Sequence, residues 1–134
     1  MEQMYQDYND IVNFRIVYMR EAHPIDSRRP SPVAREKGIT EHADYGERCS
    51  IAKAFLDEQN LTIPAIVDDF DNTVNLAYHA FPDRLFVVKT DGTLAVAGKR
   101  GPWGFVPALE EAGAWLIDYR ASLEIDEKPR PSSE

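Results

Sequence analysis

Residues 14–23 read F-R-I-V-Y-M-R-E-A-H, and this stretch decides the architecture. Phe14, Ile16, Val17, Tyr18 and Met19 form a β-branched and aromatic run, the pattern of a buried strand. Upstream, Met4, Tyr8 and Ile11 recur at i, i+4 and i+7, one face of a short helix. Downstream, His23–Thr40 carries Pro24, Pro30, Pro32 and Gly38 and reads as a long loop, a feature that is often functional in a small domain. Glu41–Gln59 returns to helical spacing, with Cys49, Ala52 and Leu56 on one face and Ile51 and Phe55 beside them. Ile63–Val67 is a short apolar strand ended by Asp68 and Asp69, and Asp71 is placed to cap a helix carrying Val74, Ala77 and Tyr78. Leu85–Val88 and Leu94–Ala97 flank Thr90-Asp91-Gly92, a tight-turn signal for a hairpin. Pro107 can open a last helix with Glu110 and Glu111 in its first turn, packing through Leu109, Ala112, Leu116 and Tyr119.

Strands separated by crossover helices imply parallel pairing, and the closing hairpin adds an antiparallel edge. The expected fold is therefore α/β, a sheet flanked by helices. Domains of this type ordinarily open with the strand at the sheet centre. This chain opens inside an apparent helix, so the pattern reads as N-terminally truncated. Residues 1–123 read as one domain. Residues 124–134, E-I-D-E-K-P-R-P-S-S-E, read as a flexible charged tail.

At 134 residues and 15.2 kDa the chain suffices for one domain with an ordinary core. Fifteen lysines and arginines against 23 acidic residues give a net charge of −8, which argues against a nucleic-acid or anionic-membrane surface as the main partner. No apolar run approaches the ~20 residues that span a bilayer, and the polar start M-E-Q-M-Y-Q-D-Y lacks the features of a signal peptide. Cys49 is the single cysteine, so no intrachain disulfide can form and a reducing, cytoplasmic setting is expected.

Two groups of residues could carry chemistry. Tyr18, Glu21 and His23 lie where the first strand runs into the long loop, and functional groups in open α/β folds cluster beyond strand carboxyl ends. A tyrosine, a carboxylate and an imidazole can relay a proton. The same spacing also fits a core tyrosine with a solvated glutamate and histidine. Lys99, Arg100, Gly101, Pro102, Trp103 and Gly104 form the second group. Here a guanidinium can meet a carboxylate or phosphate and the indole offers a stacking surface, or the segment is a loop with exposed charge. Cys49 lacks a CxxC partner and reads as a small core residue rather than a nucleophile. Asp68, Asp69 and Asp71 lack the glycine and terminal glutamate of an EF-hand, and His23, His42 and His79 lack ligand spacing, so no metal site is expected.

Four blocks in order make a family resemblance specific: F-R-I-V-Y-M-R-E-A-H-P-I-D, I-P-A-I-V-D-D-F-D-N-T-V-N-L-A-Y, F-P-D-R-L-F-V-V and G-K-R-G-P-W-G-F. From about Tyr5 to Trp115 the chain resembles the iodothyronine deiodinases, a family that includes bacterial deiodinase-like proteins. The resemblance implies a thioredoxin-like, peroxiredoxin-related fold and reductive removal of iodine from an aromatic by a selenol or thiol. By the same resemblance Tyr18, Glu21 and His23 are the catalytic proton relay, while His42 and Arg100 bind substrate. Pro82 stands near the thioredoxin-fold proline, where a cis bond is expected. The family's E-A-H-x-x-D-G-W reads here E-A-H-P-I-D-S-R, so Ser27 and Arg28 replace a glycine and a tryptophan at the pocket wall.

The family's selenocysteine or cysteine precedes its first helix, which places the nucleophile upstream of Met1 and leaves the 134 residues inactive alone. No bound cofactor is implied. The expected partners are a small aromatic or anionic substrate, an external thiol reductant and a second copy in a homodimer. Peroxide or disulfide reduction by a thiol or selenol, and a non-catalytic thioredoxin-fold binding module, are the alternatives.

Overall fold

A computed structural model describes residues 1–126, and the expected run of β-branched residues forms β1 (Ile16–Tyr18). It is preceded by α1 (Glu2–Tyr8) and followed by α2 (Pro32–Lys37), α3 (Tyr45–Glu58), β2 (Ala65–Val67) and α4 (Thr73–Tyr78). The chain continues through β3 (Phe86–Val88), β4 (Leu94–Ala97) and α5 (Phe105–Asp126). Strands β1 and β2 pair in parallel, with Ile16 opposite Ala65 and Tyr18 opposite Val67. Strands β3 and β4 pair antiparallel, Val87 opposite Val96, with an irregularity at Val87/Val88. The architecture is of the expected α/β class and consistent with a thioredoxin-like fold.

Among the described residues the two pairs are separate two-stranded sheets, so the hairpin is not hydrogen-bonded to the parallel pair. The Ile16 N–H donates to the Pro64 carbonyl and the Asp68 N–H to the Tyr18 carbonyl. Because backbone groups alternate sides along a strand, Val17 faces the open edge of β1. No helix of the described residues is long and apolar enough to cross a membrane.

Local chemistry explains where the elements depart from expectation. The long loop contains α2, because the Ser31 hydroxyl accepts from the Ala34 N–H at 2.9 Å, Pro32 stands in the first turn and Gly38 at φ 69° ends it. Helix α3 starts at Tyr45 instead of Glu41, since Asp44 is extended and its carboxylate takes the Glu47 N–H at 2.8 Å. Asp71 does not cap α4. Asp68 takes the N–H groups of Val74 and Asn75, both at 2.9 Å, and Asp69 takes that of Thr73. Helix α5 opens at Phe105, two residues before Pro107, and runs through residues 124–126. The rest of the expected tail, 127–134, lies outside the described residues.

The core sits between the hairpin and α5, where Leu85, Val96, Ala108 and Ala112 are buried against Val87, Phe105, Leu109 and Trp115. Complete burial of a side chain the size of Val96 or Leu85 contributes about 1.5–3 kcal/mol. Helix α1 is tied to the rest at both ends. The Glu2 carboxylate accepts the Thr62 N–H and hydroxyl, and Arg120 of α5 grips Asp10 at 2.6 and 3.0 Å. The Phe81–Pro82 bond is cis, as is Gly101–Pro102.

Candidate functional site

The carboxyl end of β1 delivers Tyr18 into a half-buried position between the rings of His42 and Phe55, 6.1 and 5.9 Å away. Its hydroxyl donates to Oε1 of Glu21, three residues on. Burial first, then the hydrogen bond and negative charge of Glu21, hold this phenol protonated well above its ordinary range, with the Arg48 cation opposing. Tyr18 is therefore a protonated hydrogen-bond donor in the resting site. Glu21 stays partly open to solvent, so its carboxylate joins the buried tyrosine to water.

On the other side of that carboxylate lies His42, only 3% exposed. Its Nε2 is 3.7 Å from the same Glu21 Oε1 and, among the described residues, has no hydrogen-bond partner. Its Nδ1 accepts from Arg48 Nε–H at 3.1 Å. Arg48, 2% exposed, projects from α3, where a charged residue four positions before Ala52 falls on the packed face of the helix. Its Nη1 donates to the carbonyls of Asp68 (3.3 Å) and Asp69 (2.6 Å), and its guanidinium lies 5.3 Å from the Phe70 ring centre. The Asp68 carboxylate, in turn, holds the start of α4. A buried cation satisfied by carbonyls, an imidazole and an aromatic face leaves its positive field directed at the Tyr18–Glu21 pair.

The structure thus brings Tyr18 and Glu21 together with His42. His23 is exposed in the loop that follows, and its Nδ1 is 3.0 Å from the Arg29 carbonyl, to which an Nδ1–H donates. No hydrogen bond among the described residues joins His23 to Tyr18 or Glu21.

Arg100 stands elsewhere, at an exposed ridge between two clefts. One, of about 280 Å³, is lined by Arg20, Asn72, Asn75, Leu76, His79, Phe81 and Arg100. The Arg20 guanidinium stacks 4.4 Å from the Phe81 ring centre, and the buried Asn72 Oδ1 has no partner among the described residues. The other, of about 430 Å³, includes Lys99, Trp103 and Glu111, with Trp103 89% exposed. The loop carrying Arg100 is held tightly. Gly104 N–H donates to the Arg100 carbonyl at 3.1 Å, Gly101 N–H to the Asp83 carbonyl at 2.9 Å, and a Cβ on Gly104 would lie 2.1 Å from the Lys99 oxygen. Arg84 braces the cleft from below by donating to the carbonyls of Gly98 (2.6 Å) and Tyr78 (3.1 Å). His42, expected with Arg100 to hold substrate, lines neither of these two clefts.

Cys49 is partly buried, and the Tyr45 hydroxyl beside it is pushed up by that thiol. No hydrogen bond links Cys49 to Tyr18, Glu21 or His42 among the described residues. Nor do three His, Cys, Asp or Glu side chains there converge closely enough to hold a metal ion. Sequence reasoning missed Arg48, Asp68 and Arg20. The signal for Arg48 was its place on the packed face of α3, and for Asp68 its position just before a helix with free N–H groups. Nothing in the pattern marks Arg20.

The family model for iodothyronine deiodinase matches residues 1–120. A thyroxine 5-deiodinase of Sparus aurata is 34% identical over 125 residues, covering 91% of this chain and 43% of that protein. A type I iodothyronine deiodinase of Xenopus laevis is 30% identical, covering 78% of this chain and 40% of the relative. A thyroxine 5-deiodinase of Gallus gallus is 33% identical over 88% of this chain and 43% of its own length. The chain spans less than half the length of these curated relatives.

Proposed function

The chain belongs to the iodothyronine deiodinase family, and on that premise we propose that it supplies the proton-handling and anion-holding parts of a reductive dehalogenation of an iodinated aromatic. The observation that carries this reading is the buried Tyr18 hydroxyl donating to a solvent-linked Glu21, with His42 on the far side of the carboxylate. A selenolate or thiolate takes the iodine from the ring carbon, forming a selenium–iodine or sulfur–iodine bond and leaving the electron pair on carbon. That carbon needs one proton. Tyr18 delivers it, and Glu21 returns a proton from water to the tyrosine. Two equivalents of an external thiol then displace iodide and regenerate the nucleophile, leaving as a disulfide.

Arg100 and Arg20 hold the substrate's carboxylate in the smaller cleft, and Trp103, which lines the neighbouring cleft on the other side of Arg100, offers a face for an aromatic ring. Cys49 has no hydrogen bond to Tyr18 or Glu21 among the described residues, and in this reading it is not the nucleophile. That separation also favours a second reading, a module that binds aromatic carboxylates through Arg20 and Arg100 without redox chemistry. Equilibrium dialysis of the chain against thyroxine tests the shared premise. Arg100→Gln should weaken binding by about tenfold, roughly one charge-assisted hydrogen bond. Unchanged binding would remove Arg100 from the substrate site. Iodide release by the gene product separates the two readings.

A further inference from the structure

The least expected feature of the site is the pair His42 and Arg48, both buried, with one imidazole nitrogen engaged and the other orphaned. A neutral imidazole has one N–H and one lone pair. A guanidinium has only donors, so the nitrogen facing it must be the acceptor. Arg48 Nε lies 3.1 Å from His42 Nδ1, which leaves the imidazole proton on Nε2. Arg48 cannot easily turn away, because the Asp68 and Asp69 carbonyls hold its other end. Nε2 is sealed from solvent and has no hydrogen-bond partner among the described residues, and Glu21 Oε1 lies 3.7 Å away.

We propose that Arg48 is a positioning residue that fixes His42 as the Nε2–H tautomer and aims this proton at the Glu21 oxygen already engaged by Tyr18. Glu21 is partly exposed, whereas His42 is buried and held through Nδ1, so the gap closes by movement of the carboxylate. The orphaned Nε2–H then gains its acceptor when Tyr18 gives up its proton and its hydrogen bond to Glu21 changes. In this step His42 acts through Glu21. This role in turnover rests on the proton-transfer reading above, while the tautomer itself rests on the geometry alone.

The test is nitrogen-15 NMR of the labelled chain near pH 8.5, where an imidazole of ordinary pKa is neutral. His42 Nδ1 should resonate as an unprotonated nitrogen and Nε2 as a protonated one, with a correlation across the hydrogen bond from Arg48 Nε–H to His42 Nδ1. Arg48→Lys, which keeps the charge and loses the planar donor, should abolish that correlation and average the two nitrogens. A proton on Nδ1, or averaged nitrogens in the unsubstituted chain, would overturn the proposal. If Arg48→Lys does not fold, the unsubstituted spectrum still decides. In the whole gene product, Arg48→Lys should lower kcat about tenfold or more and leave KM for thyroxine unchanged. A rise in KM alone would overturn the positioning role without touching the tautomer. Absence of any iodide release would count against the functional reading and leave the spectral result standing.

Discussion

Replacing Tyr18 by phenylalanine removes one hydroxyl, so the effect follows from that hydroxyl's surroundings. The O–H donates to Glu21 from a half-buried position between the rings of Phe55 and His42. Hydrogen bonds to charged groups contribute ~1.5–3 kcal/mol, and the partial exposure of Glu21 places this one at the low end. The variant should lose about 1.5 kcal/mol near pH 8, a fall of roughly 5 °C in Tm. The pH dependence is a sharper signature. Burial, then Glu21, raise the Tyr18 pKa above its ordinary 10.0. Above that pH the unfolded chain releases the phenolic proton while the folded chain retains it. The folded state then binds more protons, so the contribution is complete below pH 10 and is lost as pH rises toward the folded value. For one proton the slope is at most about 1.4 kcal/mol per pH unit. Tyr45 is also shifted upward, and its effect cancels between the two proteins. Urea titrations of both from about pH 8 to about pH 11 should show a stability gap that is constant at first and closes above the ordinary tyrosine pKa. Parallel curves across the whole range would refute the assignment of Tyr18 as a buried donor.

Asp68→Ala strips the acceptor from two N–H groups at the start of α4 and should cost about 3 kcal/mol, measured as a lower urea midpoint with unchanged slope. Gly104→Ala places a methyl against the Lys99 carbonyl, so the 99–104 loop must shift. Thyroxine binding should weaken by about tenfold in dialysis while circular dichroism stays native. Exposed Ile66, Leu76, Val88 and Ile117, together with the open edge of β1, should drive self-association, read as a concentration-dependent mass in sedimentation equilibrium.

The alternation of apolar runs and helical spacings made the α/β class legible, and Asp91-Gly92 marked the hairpin correctly because a positive φ there requires glycine. Pairing between the two sheets was not legible, since periodicity reports which faces are buried and not which edges meet. Helix α2 was hidden by a count of prolines that treated Pro32 as a breaker, although after Ser31 it is a start signal. The site was read one imidazole differently. Spacing favours neighbours in sequence, so His23 stood beside Glu21, whereas the structure sets His42, 21 positions away, against the carboxylate. Arg48 escaped because a helical arginine is ordinarily solvated, although its spacing four residues before Ala52 put it on the packed face of α3, where the Asp68 and Asp69 carbonyls receive it.

The central claim, that Tyr18, Glu21 and Arg100 serve a dehalogenation whose nucleophile is not Cys49, is tested most directly by iodide release. The protein as produced by its source would be assayed with thyroxine and dithiothreitol, alongside Glu21→Gln, Arg100→Gln and Cys49→Ser. Release that falls at least tenfold in the first two variants and persists in Cys49→Ser is the expected result. Release abolished by Cys49→Ser, or indifferent to Glu21→Gln, would contradict it.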